Sequence, residues 1–217
     1  MQKSRTRIGS ILSSVASALH LTVAGAGSAL AQTEPIVFVH GYSGSTSNFN
    51  TMADRFVADG YASSKLYRFG YRSTSVDNKT SANELKNFIA TVRKNNGGAV
   101  VSIVAHSNGG LVSRWYRAKL SGTGEMRRFV SLGSPHQGTQ WAYSCISPAC
   151  FDMRPGSSFL KELAGKGCDQ SLWSSSDGII IPAESAKCGS STQTANVSHN
   201  TLLTDASVYQ QVRTALK

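Results

Sequence analysis

Residues 99–110 read Ala99-Val100-Val101-Ser102-Ile103-Val104-Ala105-His106-Ser107-Asn108-Gly109-Gly110. The run from Ala99 to Val104 is the most strand-like in the chain, and its near-continuous apolar character suits a central strand buried on both faces. A helix is expected from about Ser107 toward Leu120. Between them stands Ala105-x-Ser107-x-Gly109, the spacing of a nucleophile elbow, in which a serine occupies a sharp strand-to-helix turn. Small residues two before and two after the serine let such a turn pass close to its neighbours. Ala105 replaces the usual first glycine, a mild departure, since alanine is the next smallest residue. Alone, A-x-S-x-G is a weak signal; placed after a buried strand and before a helix it is a good one. A plain helix N-cap would explain Ser107 but not the Gly109-Gly110 pair that follows it.

Working outward, short apolar runs alternate with amphipathic ones, the signature of a mostly parallel sheet flanked by helices, in a compact α/β arrangement. Ile36-Val37-Phe38-Val39 reads as a buried strand, broken into a loop by Gly41, Ser43 and Gly44. A helix from about Ser47 to Ala58 and a strand over Leu66 to Phe69 follow. Ser81 to Asn95 is the clearest helix: Ser81 and Glu84 make a capping box, and Leu85, Phe88, Ile89 and Val92 fall at i, i+3, i+4 and i+7. Phe129 to Leu132 is the next strand. From Thr139 to about Gly167 the pattern is irregular, an excursion over the sheet. Weaker strands are expected near Ser171–Ser174 and Thr194–Val197, and a last helix, capped by Thr204 or Asp205, carries Val208, Val212 and Leu216.

A serine hydroxyl needs a base to take its proton, and the base needs an acid to orient it. On a strand–elbow–helix scaffold the chain order is serine, acid, histidine. Only His136 and His199 follow Ser107, and His199, between a strand and the last helix, is the better placed base. His136, after the strand next to the nucleophile, is expected to line or shape the site; His40 and His106 read as supporting or packing residues. The acid is sought among Asp152, Asp169 and Asp177, with Glu125, Glu162 and Glu184 weaker. Asp177 stands at a strand end, where such sheets place their sites, although an Asp before Gly178 is also a common turn former. The oxyanion donors are expected to be the N–H of Asn108, at a helix N-terminus, and the N–H of Tyr42, after the first strand.

These stretches together resemble one family. V-F-V-H-G-Y from Val37, I-V-A-H-S-N-G-G from Ile103, L-G-S-P-H-Q-G-T from Leu132, R-P-G-S-S-F-L from Arg154, S-S-S-D-G-I from Ser174 and S-H-N-T-L-L from Ser198 are similar to the class 2 lipases, in their order. The resemblance implies an α/β-hydrolase fold and a lipase or esterase with Ser107, Asp177 and His199 as triad and donors at Tyr42 and Asn108. Asn108 departs from the methionine common after the nucleophile, a change that spares a backbone donor but can shift acyl-chain preference. No cofactor is required, and the acids show no calcium-ligand spacing. The expected partner is a lipid or small-molecule ester, met by a monomer, in part at a lipid–water interface. A polyester depolymerase with the same triad, or an inactive relative binding lipid or protein, are the alternatives.

The chain of 217 residues is long enough for one sizeable core, expected over residues 32–217. Residues 1–31 read as a secretory leader: Lys3, Arg5 and Arg7, then an apolar Ser- and Ala-rich run, then Ala29-Leu30-Ala31 as cleavage site. An Arg-bearing, acid-free start also suits a mitochondrial transit peptide, but the cysteines favour export, extracellular or periplasmic. Without the leader, 19 basic and 12 acidic residues remain, a net +7. The basic residues are scattered and no nucleic-acid motif accompanies them, so the charge reads as a solvated surface. Four late cysteines lack zinc spacing; nearest-neighbour pairing, Cys145–Cys150 and Cys168–Cys188, is favoured among the three possibilities.

Overall fold

The computed structural model describes residues 34–217, so the proposed leader lies outside the described residues. Strand β1 (Ile36–Val39) sends its side chains alternately into two apolar cores. Val37 and Val39 join one with Ile103, Ala105, Leu111 and Ile89, while Ile36 and Phe38 join the other with Val104, Phe56 and Val212. This is why the strand is apolar at every position: both its faces are covered.

β2 (Leu66–Phe69), β3 (Val101–His106), β4 (Met126–Leu132), β5 (Gln170–Trp173) and β6 (Ser190–Gln193) complete a parallel sheet in the order β2-β1-β3-β4-β5-β6. Helices α2 (Asn78–Asn95) and α3 (Asn108–Lys119) supply the core on one face. The opposite face is covered by α1 (Asn50–Ala58) and α6 (Ala206–Ala215), through residues such as Met52, Phe56, Val208 and Val212. The excursion holds two short helices, α4 (Pro148–Met153) and α5 (Ser158–Glu162), each started by a serine whose side chain accepts an N–H of its first turn.

The chain winds outward from β1 to β2, then crosses back to β3 and continues the other way. β1 and β3 are therefore the switch point, and the crevice beyond their carboxyl ends is where open α/β sheets hold ligands. Register tightens the statement: Val39 pairs with Ala105, so Tyr42 and Ser107 leave adjacent strands at nearly one level.

Several expected boundaries move. α2 begins at Asn78, with Asp77 as cap accepting from Thr80 N at 2.8 Å, and Ser81 lies inside it, its hydroxyl donating to Asp77 O at 3.1 Å. β3 runs from Val101 to His106, two residues later than its apolar run. The edge strand is Ser190–Gln193, not Thr194–Val197, and its residues are all exposed. A polar edge strand has no apolar alternation to read, and its polarity blunts an edge that would otherwise recruit other chains.

Candidate active site

Ser107 stands one residue past β3 with φ 54° and ψ −130°, a conformation L residues avoid, and is 6 % exposed. Its N–H donates to Leu132 O at 2.9 Å, and its own carbonyl accepts from Gly110 N at 3.0 Å. The small residues around it are needed. A Cβ on Gly109 would lie 2.3 Å from His40 O and 2.5 Å from Val39 O, and one on Gly110 would overlap the Ser134 side chain. The turn is held by the chain on both sides of the sheet crossing, and strain of this kind persists only where surroundings over-determine it.

His199, in the loop after β6, donates from Nδ1 to both carboxylate oxygens of Asp177, at 2.8 and 2.9 Å. Asp177 is 3 % exposed; its Oδ1 also accepts from Ile179 N at 3.0 Å and Ile180 N at 2.7 Å, and His199 N donates to Asp177 O at 2.9 Å. The carboxylate is thus fixed by its own turn and the imidazole by the carboxylate. Ser107 and His199 line the same two cavities, about 430 and 180 Å³, at the end of the sheet. Within the described residues no hydrogen bond links the Ser107 hydroxyl to His199; such contacts are often long before substrate arrives.

Tyr42 lines both cavities, and neither its N–H nor that of Asn108 is taken up by another protein group among the described residues. The Asn108 side chain points into protein instead: it is fully buried and donates to Asn78 Oδ1 at 2.8 Å, while Asn78 N donates to Asp152 at 2.8 Å. Trp141, Met153, Ile179 and Ile180 give the smaller cavity its apolar wall.

The other sequence candidates lie elsewhere. His136 Nε2 contacts Ser131 Oγ at 2.8 Å and no carboxylate. Asp169 pairs with Arg117 at 3.1 Å and accepts from Phe129 N, and Asp152 is engaged by Asn78. Glu125 pairs with Arg93 and Glu162 with Lys79. Two supporting residues, Gly133 and Thr139, were not singled out by the sequence, whereas His106 was expected to support or pack. A Cβ on Gly133, at φ 51°, would stand 2.7 Å from Asp177 Oδ2 and 3.4 Å from His199 Nδ1, so only glycine fits beneath the pair. Thr139 ties the excursion to the acid's loop, its Oγ1 donating to Ile179 O at 2.6 Å and accepting from Ile181 N at 3.0 Å. His106 Nε2 donates to His199 O at 3.0 Å, with the two rings 4.4 Å apart. Burial, and then the neighbouring His199, pull the His106 pKa down to about 3, so the supporting ring is neutral. A signal for Gly133 and Thr139 existed in the L-G-S-P-H-Q-G-T stretch, but nothing local says what they face.

Bridges join Cys145 to Cys150 and Cys168 to Cys188, with Cα atoms 5.9 and 5.5 Å apart. The second closes the segment that carries Asp177, and Cys188 N donates to Ser171 Oγ on β5.

The family model for class 2 lipases matches residues 33–216. The chain belongs to the class 2 lipases. Among solved structures, this lipase-family chain is similar to the mature lipase BlEst2 of Bacillus licheniformis, with 19 % identity and a TM-score of 0.75 over 86 % of this chain and 93 % of that one. The lin2722 product of Listeria innocua superposes with a TM-score of 0.64 at 18 % identity, covering 85 % of this chain and 94 % of that one. Lipase B of Aspergillus fumigatus gives 0.65 at 14 % identity over 79 % and 49 %. At such identities the likeness is one of fold, and the fold of this class 2 lipase is that of the α/β hydrolases.

Proposed function

We propose that the chain is a secreted serine carboxylic ester hydrolase, a lipase or esterase acting on acylglycerols or related lipid esters through Ser107, His199 and Asp177. The single observation that carries the reading is a strained serine sharing a cavity with a histidine whose Nδ1 is held by a buried carboxylate. With Nδ1–H bound to Asp177, Nε2 is the basic nitrogen. It takes the Ser107 proton as Oγ attacks the ester carbonyl, and the N–H groups of Tyr42 and Asn108 receive the oxyanion. The imidazolium then protonates the leaving alcohol. Water, deprotonated by the same nitrogen, attacks the acyl–serine and releases the acid.

Support for lipid substrates comes from the excursion. It sends Trp141 and Met153 to the cavity wall, and it leaves Tyr143 56 %, Ile146 86 % and Phe151 48 % exposed beside them. A cluster of exposed apolar side chains on a monomer marks a contact surface, here with a lipid–water interface. The two bridges and the basic, apolar leader support export.

The test is labelling with a fluorophosphonate combined with hydrolysis of p-nitrophenyl esters of increasing chain length. Wild-type protein should label at Ser107 and turn over; Ser107→Ala should do neither, losing about three or more orders of magnitude in rate while keeping its thermal transition. A variant within tenfold of wild type would overturn the nucleophile.

A further inference from the structure

A third cavity, about 670 Å³, is lined in part by His136 and Gln137 and shares no lining residue with the two that hold Ser107. Its wall includes Arg114, His136, Lys161 and Lys187, together with the Cys168–Cys188 bridge, and no aspartate or glutamate. Arg114 is 4 % exposed, and its guanidinium donates only to main-chain carbonyls: Nε to Lys166 O at 2.8 Å, Nη1 to His136 O at 3.0 Å, Nη2 to Leu163 O at 2.6 Å. Five N–H groups are available and three are used. The nearby carboxylate of Asp169 is engaged by Arg117.

Buried charges are ordinarily paired, and this one has no counterion among the described residues. Lys161 and Lys187 are exposed and make no ion pair among the described residues; Lys187 Nζ rests 4.3 Å over the Trp173 ring. His136, also 4 % exposed, has an Nδ1 with no partner. Its Nε2 lies 2.8 Å from Ser131 Oγ, which also donates to Gln170 O at 3.4 Å. A concave wall of a single sign focuses potential on one kind of ligand.

We propose that this cavity binds a phosphate-bearing anion, with the Arg114 guanidinium and the two lysines neutralising its charge. A dianionic phosphate matches three cations better than a single carboxylate does, and guanidinium–phosphate hydrogen bonds are among the stronger ones available. The phosphate can be free in solution or the headgroup of a lipid, and the two are separable by experiment.

Thermal unfolding of the purified protein would be followed against inorganic phosphate and against chloride at equal ionic strength. Binding to phosphatidylcholine vesicles with and without phosphatidic acid would be measured beside it. A saturable rise in Tm with phosphate, absent with chloride, is expected for a soluble anion; binding to the phosphatidic acid vesicles without that rise assigns the site to a headgroup. In either case Lys161→Glu with Lys187→Glu should weaken the effect about tenfold or more. Lys86→Glu with Lys94→Glu, the same charge change on α2, should leave it intact. No response to either phosphate source, or equal losses in the two double variants, would overturn the proposal. Ester hydrolysis is expected to be unchanged in the lysine variants, so failure here is distinct from failure of the Ser107 assignment.

Discussion

Ser107 is legible in the sequence because its requirement is local: a serine at a turn that only small neighbours permit. His199 and Asp177 were visible by chain order and by their place after weak strands, and the structure puts the two in contact through Nδ1. The division of labour proposed for them makes a ranking. Replacing His199 by alanine should reduce ester hydrolysis about as much as the serine change, by three or more orders of magnitude, and Asp177→Asn should cost about 10⁴-fold through the wrong tautomer. His136→Ala, lacking any acid partner, should leave kcat within about tenfold. Steady-state rates of the three variants check the order, and a His136 variant as poor as His199→Ala would reverse it. Gly133 could not be assigned a role from sequence, because its reason is the oxygen of Asp177 that lies 2.7 Å from where a Cβ would be.

At the scale of elements, α2 shows how a local rule is overridden. Ser81 and Glu84 match a capping box, yet the helix starts three residues earlier, where Asp77 accepts from Thr80 and Asp152 accepts from the Asn78 N–H. Asp152 arrives from the excursion, so the extra turn is satisfied by a partner 74 positions away. Asp77→Ala should therefore destabilise by about 1 kcal/mol, with Ser81→Ala costing clearly less. Urea midpoints of the two variants decide between the caps. The excursion is stapled in a different way. Arg154 stacks 4.3 Å from the Phe151 ring and 5.0 Å from Tyr143, and donates to Ala142 O and Cys145 O around the Cys145–Cys150 bridge. That bridge closes five residues and the other closes twenty, worth about 2 and about 3 kcal/mol on chain entropy. Cys145→Ser with Cys150→Ser should accordingly change chain-length preference on p-nitrophenyl esters more than it lowers Tm. A large Tm loss with an unaltered substrate profile would show that the staple serves the fold and not the site.

Across the whole molecule, buried histidines govern the response to acid. Burial pulls His106 and His136 down to about 3 from an ordinary value of 6.5, and lowers His40 as well. Between those limits the unfolded chain binds more protons than the folded one, so stability rises with pH there. It is complete above about 6.5 and is lost as pH falls toward 3. Asp152, raised by burial, acts in the opposite sense, and Asp77 and Asp205, held low by hydrogen bonds, add a loss at more acid pH. Guanidinium unfolding at pH 7.5 and 5 should give a lower midpoint at pH 5, with His136→Phe narrowing the gap. Equal midpoints at the two pH values would contradict the buried, neutral state.

The sequence by itself determined the alternation of strands and helices, the serine between strand and helix, and the order in which Ser107, Asp177 and His199 fall along the chain. These follow from periodicity and from small-residue spacing, which act over a few neighbours in the chain. Tertiary structure alone decided where β6 runs, because Ser190–Gln193 has no apolar pattern and is a strand only by pairing with β5. It alone decided that Asp77 caps α2, that Gly133 must lack a side chain, and that Arg114 lies buried with no carboxylate partner among the described residues. Each of those depends on a group far away in sequence. Which distant group arrives is settled by packing both faces of the sheet at once, not by any preference written in the local residues.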